Sequence, residues 1–354
     1  MYGCQRFNNP CGDDIMEAFF PPEPPHSKTW GPLQDGEDSL EWVEPGSRAA
    51  SIVLPIFHNL CRELRNMKRA LGTSGEPADF DSIRDYAKAR LTCIADLIEE
   101  GSLHPRCAFR TGAADPLPCP GEETLRIGIF PIAGNPIHWM HLLCGLSAMS
   151  ILGLDKVVYV IAGRDDRKPD LLPAPLRHEI ARETLSLFSP LFGYSPISLD
   201  SGRDGESAAI DLMRLNAGRD IHAFYLAGTD HCRRIHPGTG RADTIGKLEI
   251  LLGSERHSSL AKGSRFSVAF LIRRGAALQA PPSPLDLHFI PEGPLSCSST
   301  AIRAAMAGGD PAALSSLPHG VYSFLRSRHL YGWWAAAAPR EDALPLFPEA
   351  VPYQ

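Results

Sequence analysis

Residues 127–141 read Ile127-Gly128-Ile129-Phe130-Pro131-Ile132-Ala133-Gly134-Asn135-Pro136-Ile137-His138-Trp139-Met140-His141. An apolar run broken by a Gly/Asn/Pro turn predicts a buried strand, then a tight reversal. The helix that follows, over 139–153, is entered through His138 and His141, which at a spacing of three share one face. A helix N-terminus offers unpaired amides and the positive end of the backbone dipole, both suited to phosphate. Imidazoles placed there can donate to phosphoryl oxygens, and the small residues Ala133 and Gly134 let backbone approach a ligand. The plainer alternative is a pair of capping histidines. A zinc site is disfavoured because no third His, Cys or carboxylate lies near in sequence.

Outward from this stretch, short apolar runs alternate with helical periodicity. Strands are expected at 125–130, 156–162, 222–227, 267–272 and 286–290, with a short one at 197–199. Helices are expected at 173–189, 205–217, 299–307 and 318–329. Apolar strands separated by helices imply a parallel sheet covered on both faces, an α/β doubly wound, Rossmann-like fold. Such sheets bind ligands beyond the carboxyl ends of their strands.

Upstream, Leu54, Phe57, Cys61, Leu64, Met67 and Leu71 mark one amphipathic helix, with Pro55 expected in its first turn. Ile83, Tyr86, Ala87, Leu91, Ile94, Leu97 and Ile98 mark a second, closed by Gly101. No chemistry is visible in this helical hairpin, which reads as a packing or oligomerisation appendage. The expected organisation is an irregular Pro/Gly/acid-rich segment (1–46), a helical extension and linker (47–123), the main domain (124–332) and a tail (333–354).

A second motif lies at Ser298-Ser299-Thr300-Ala301-Ile302-Arg303. Hydroxyls and amides at a helix start suit phosphate, and Arg303 one turn in can neutralise charge building on a leaving pyrophosphate. A plain Ser/Thr cap is the alternative. Gly228-Thr229-Asp230 ends a strand, where a carboxylate can hold a ribose hydroxyl or simply make a turn. Lys168, in a charged loop after a strand, could reach a triphosphate or stand solvated; Arg177 on the next helix is a weaker candidate. The stretch 231–262, basic and Gly-rich, reads as a substrate loop or an insertion.

Composition narrows the field. A formal charge of −6 gives no reason to expect a nucleic-acid partner. No apolar run approaches the roughly 18 residues of a membrane-spanning helix, and no secretory signal is visible. Nine scattered cysteines without CxxC spacing suggest reduced thiols and a cytoplasmic setting. Homo-oligomer formation stays open.

With both motifs in hand, the chain resembles the nicotinate/nicotinamide mononucleotide adenylyltransferases of the HxGH-motif nucleotidyltransferase superfamily over roughly residues 124–332. The bacterial family's IGIFGGTFDPIHYGHL stands against IGIFPIAGNPIHWMHL here, and its SSTxIR against Ser298, Ser299, Thr300, Ile302 and Arg303. Its GAD triplet corresponds to Gly228-Thr229-Asp230, its arginine–glycine to Arg274-Gly275, and its closing helix to SLPHGVYSFLRSRHLY at 316–331.

The resemblance implies transfer of AMP from ATP to a mononucleotide phosphate, with pyrophosphate released and no covalent enzyme intermediate. It implies catalytic roles for His138, His141 and Arg303. ATP contacts are implied at Ile129, Phe130, Ala133, Gly134, Lys168, Gly228, Asp230, Ser298, Ser299 and Thr300. Acceptor contacts are implied at Asn135, Trp139, Arg177, Ser207 and Arg274. Mg²⁺ is expected with the ATP, held largely by nucleotide and water rather than by a protein metal site. The chain departs from the family at Pro131-Ile132, where a Gly pair is usual, and at Met140. It departs again at Ser207-Ala208-Ala209-Ile210-Asp211-Leu212, where Tyr-Thr and Thr-Leu pairs usually line the pyridine nucleotide, and it lacks the tryptophan after the GAD triplet. Another phosphorylated acceptor, or a catalytically weak nucleotide-sensing protein, are the alternatives. A class I aminoacyl-tRNA synthetase shares the first motif type, but no KMSKS-like segment is present.

Overall fold

The computed structural model describes residues 43–72, 79–116, 123–163, 170–232, 234–254, 264–272, 280–291, 293–295, 297–308 and 312–332. The expected irregular segment and tail, together with Lys168 and Arg274, lie wholly or mostly outside them.

Six parallel strands form one sheet: β1 (Leu125–Ile132), β2 (Lys156–Ile161), β3 (Phe192–Ser195), β4 (Ile221–Gly228), β5 (Arg265–Ile272) and β6 (Asp286–Pro291). Their order is β3-β2-β1-β4-β5-β6, so the chain reverses direction across the sheet between β1 and β4. Ile129 sits opposite Val158 on one side and Tyr225 on the other. The central strands are buried on both faces, which is why they read as unbroken apolar runs.

One face carries α3 (Trp139–Leu152) and α4 (Ala174–Ser186), with α7 (Ser299–Gly308) and α8 (His319–Ser327); the other carries α5 (Gly205–Leu215) and α6 (Asp243–Gly253). The upstream hairpin is α1 (Ala50–Leu71) and α2 (Asp79–Glu99). It packs on α3, and Ile56, Phe57, Leu64, Ile83 and Leu91 belong to the same hydrophobic core as Leu142, Leu146 and Tyr159. Helix α3 is therefore buried almost all round, sheet on one side and hairpin on the other. Polar ties reinforce the packing. Glu63 Oε2 accepts from Gly320 N at 2.7 Å, and Asn59 Nδ2 donates to Leu187 O at 3.0 Å.

Three expectations are corrected. Pro55 lies in the second turn of α1, on its exposed side, where the missing amide faces solvent. The third strand is Phe192–Ser195, not 197–199. Those residues form a turn that lays the Ser198 and Ser201 carbonyls against Gly163, where any side chain would overlap them. Finally, 231–262 contains α6. Its Ile245 and Leu248 enter the core, and Gly246 lets the helix close on His236 and Thr239.

Candidate active site

The loop between β1 and α3 lies at the carboxyl end of β1, beside the reversal in strand order. Gly134 takes a left-handed φ of 59°, which a side chain would strain. His138 is the extended N-cap of α3, with φ −147° and ψ 170°. Its amide donates to His141 Nδ1 at 3.3 Å, and the two rings lie 3.9 Å apart. An Nδ1 that accepts leaves the neutral His141 proton on Nε2, so the ring is a donor there. Tyr159 Oη holds the His141 carbonyl at 2.9 Å. His138 is 3% exposed and His141 is half-buried, so His141 is the more accessible of the pair.

The second motif arrives from β6 and meets this loop. Ser299 Oγ donates to Pro136 O at 3.0 Å, and Arg303 donates from Nη1 to Asn135 O at 2.8 Å. Cys297 Sγ lies 3.5 Å from His138 Nδ1. The segments are thus one structure, although they are more than 150 residues apart in sequence. The hydroxyls divide their work. Ser298 Oγ caps α7 by accepting from Ala301 N at 3.2 Å, Ser299 latches the loop, and exposed Thr300 accepts from Arg303 Nη2 at 3.4 Å.

Asp230 is exposed at the end of β4 and folds its carboxylate back over Gly228, where a Cβ would come within 2.5 Å of Oδ1. Its neighbour His231 pairs with Thr244 at 2.9 Å, and Thr244 donates to buried Glu206 at 2.9 Å. Tyr225 lies beside this network; burial and the Glu206 carboxylate push its hydroxyl well above the ordinary range.

Several of the expected contact residues have defined protein partners or lie in the core. Arg177 is 1% exposed, and its guanidinium holds four carbonyls: Leu172 at 2.8 Å, Ala133 at 2.7 Å, Ala162 at 2.6 Å and Gly163 at 2.5 Å. It braces the loops after β1 and β2. Asn135 is 1% exposed; its Oδ1 accepts from Leu172 N at 3.1 Å and Tyr331 Oη at 2.5 Å, and its Nδ2 donates to Asp170 O at 3.3 Å. Trp139 is fully buried in the core under α3, away from solvent. Ile129 and Phe130 are core residues of β1, so only their backbone could meet a ligand. Ser207 is the amide donor to Asp204 Oδ1 at 2.9 Å in the cap of α5, and Ala208 and Ala209 are fully buried behind it. The N-terminus of α5 closes on β1, with Gly205 against Pro131 and the Tyr225 hydroxyl.

Tyr331 and Cys297 join the site although motif reading did not single them out. Cys297 directly precedes the hydroxyl cluster, and Tyr331 ends the closing-helix stretch. Burial raises the Tyr331 hydroxyl, which keeps it a neutral donor to Asn135.

No family model matches the chain. A probable nicotinate-nucleotide adenylyltransferase of Thermus thermophilus is 29% identical over 210 residues, covering 58% of this chain and 100% of that protein. The Bordetella pertussis protein of the same name is 25% identical over 208 residues, covering 58% of this chain and 98% of the relative. Among solved structures, the Plasmodium falciparum nicotinic acid mononucleotide adenylyltransferase complexed with NaAD aligns with a TM-score of 0.43 at 12% identity, over 59% of this chain and 98% of that one. With these relatives matched over almost their whole length, and with the two motifs joined beyond a parallel sheet, the chain is similar to the nicotinate-nucleotide adenylyltransferases, which supports a nucleotidyltransferase of that kind.

Proposed function

We propose that the chain transfers AMP from ATP to nicotinate or nicotinamide mononucleotide and releases pyrophosphate. The observation that carries this reading is the junction of the two motifs, through Ser299 on Pro136 and Arg303 on Asn135. It gathers an imidazole donor, a hydroxyl and a guanidinium around one helix entrance. An acceptor phosphate oxygen attacks the α-phosphorus as the bond to the pyrophosphate oxygen breaks. Negative charge then grows on the departing pyrophosphate, and fixed donors that strengthen as it grows lower the barrier. In this reading His141, with His138 behind it, and Arg303 with Thr300 face the β- and γ-phosphates. Ala133 and Gly134 bring backbone close, Ser298 and Ser299 hold α7 in position, and Asp230 meets the ribose.

Among the described residues no group of three or more His, Cys, Asp or Glu side chains could hold a metal ion. In this reading Mg²⁺ would be carried by the nucleotide and its waters, which the exposed Asp230 would meet. When bound, the ion offsets phosphate charge.

A second reading keeps the chemistry and changes the acceptor. Its support is the closure of α5 onto Pro131 and the burial of Ala208 and Ala209, where the family has pyridine-lining side chains. Pyrophosphate release measured with ATP and a panel of mononucleotides tests both. Turnover with pyridine mononucleotides supports the first. Turnover only with other phosphorylated acceptors supports the second, and tight ATP binding without turnover on any acceptor overturns both in favour of a nucleotide sensor.

A further inference from the structure

A cavity of about 340 Å³ opens at the opposite end of the sheet from the candidate active site. Four separated segments build it. Arg48 and Ser51 come from the start of α1, His104 and Arg106 from the link after α2, Glu123 from the approach to β1, and Arg219 from the turn before β4. Three guanidiniums and an imidazole thus face one carboxylate, in a chain whose formal charge is −6. The lining itself is net positive, with Glu99 beside Arg48 and Asp155 beside His104 behind the wall.

The wall is fastened in place. Arg48 Nη2 lies 3.1 Å from His104 Nδ1, and His104 Nε2 lies 3.5 Å from Glu123. Buried Asp155 accepts from His104 N at 2.7 Å and from Arg126 N at 2.8 Å, pinning the link to the first residues of β1. Lys156 Nζ donates to Cys107 O at 3.4 Å. The Arg48 and Arg106 heads remain exposed at the rim.

We infer that this cavity is a second binding site, for a phosphomonoester of about sugar-phosphate size. Guanidinium forks match the oxygens of a compact dianion, and several around one concavity give it more than any single surface pair could. The volume is near the lower end of small-molecule pockets, roughly 300–1,000 Å³. It suits a phosphorylated sugar better than an extended polyanion. The site needs α1 and the link after α2. The relatives are matched over 98–100% of their own length by only 58% of this chain, so a site built partly outside the shared sheet is this chain's own. It stands independently of the transfer reaction proposed above.

The test follows the His104 ring signals by NMR in the full chain, assigned with His104→Gln, during titration with inorganic phosphate, ribose 5-phosphate and ribose. Both phosphates are expected to move the His104 signals saturably, ribose 5-phosphate at the lower concentration, while ribose leaves them unmoved. Arg106→Glu, at an exposed position, is expected to weaken phosphate binding at least tenfold with turnover unchanged. Arg303→Ala is expected to leave the His104 titration as in the parent, which separates this site from the one beyond β1. A His104 signal that stays still or drifts without saturating, or an Arg106→Glu protein that titrates like the parent, overturns the inference.

Discussion

Replacing Arg177 with methionine removes the brace that joins the loops after β1 and β2. The guanidinium donates to the carbonyls of Leu172, Ala133, Ala162 and Gly163 from a position 1% exposed. Hydrogen bonds to a charged group contribute about 1.5–3 kcal/mol each, so a plain sum would reach roughly 6–12 kcal/mol. Two effects reduce it. Water can enter the space vacated by the guanidinium and satisfy some carbonyls, and the parent protein loses stability by keeping that cation out of water. The expected loss is about 3–5 kcal/mol, at the upper end for a single substitution. With an m-value near 3 kcal/mol/M for a chain of this size, the urea midpoint should fall by about 1–1.7 M. Because Ala133 precedes Gly134 in the loop that leads to His138, the KM for ATP should rise in the fraction that stays folded. Arg177→Lys should recover part of the stability, since an ammonium cannot span all these carbonyls. A midpoint shift below roughly 0.3 M for the methionine variant would refute the bracing role.

His141→Ala should reduce kcat by about 10²–10³-fold with an unchanged circular dichroism spectrum, as expected for one lost donor to developing charge; parent-like pyrophosphate release would remove His141 from the reaction. Gly145→Ala should destabilise by about 1–3 kcal/mol, because the added methyl would overlap the Tyr159 hydroxyl that holds the His141 carbonyl. A parent-like melting temperature would contradict that packing. Burial, then Arg177, lowers the His178 pKa from 6.5 to about 4. Burial, then Arg126, lowers that of His222 from 6.5 to about 4 as well. The unfolded chain therefore binds these protons first. Their contribution to stability is complete above about pH 6.5 and declines as the pH falls from 6.5 towards 4. The urea midpoint should be lower at pH 5 than at pH 7, and less so in His178→Gln/His222→Gln; parallel profiles for the two proteins would contradict the assignment.

The central sheet was legible because its strands are buried on both faces, and continuous apolar runs such as KVVYVI leave little else to read. The edges were harder. Strand β3, four residues reading FGYS, has no alternation to find, and Ile197–Leu199 offered a better apolar pattern one turn too late. Helix α6 was hidden by Gly246, which propensity counts against a helix and packing requires. The two motifs were visible as short strings, and Ser299 and Arg303 do reach the β1–α3 loop. What a string cannot reveal is how polar groups divide between ligand and protein. The resemblance implied acceptor contacts at Asn135 and Arg177; in the fold Arg177 holds backbone carbonyls, and Asn135 bonds backbone and the Tyr331 hydroxyl. That division depends on carbonyls of Ala162, Gly163 and Asp170, supplied by segments no local pattern connects to them. The docking of the hairpin had one unused signal: residues 139–152 are apolar all round, so the sheet alone could not cover them.

The tie between Glu63 and Gly320 spans 257 positions, so α1 is latched by α8. During synthesis the hairpin leaves the ribosome well before α3 and α8 exist, and its apolar stripes have only each other to shelter against. The hairpin's packing is completed only once α8 arrives, which makes these described parts a clasp rather than a body with a detachable ornament. Shortening either terminus as far as α1 or α8 should loosen the other end.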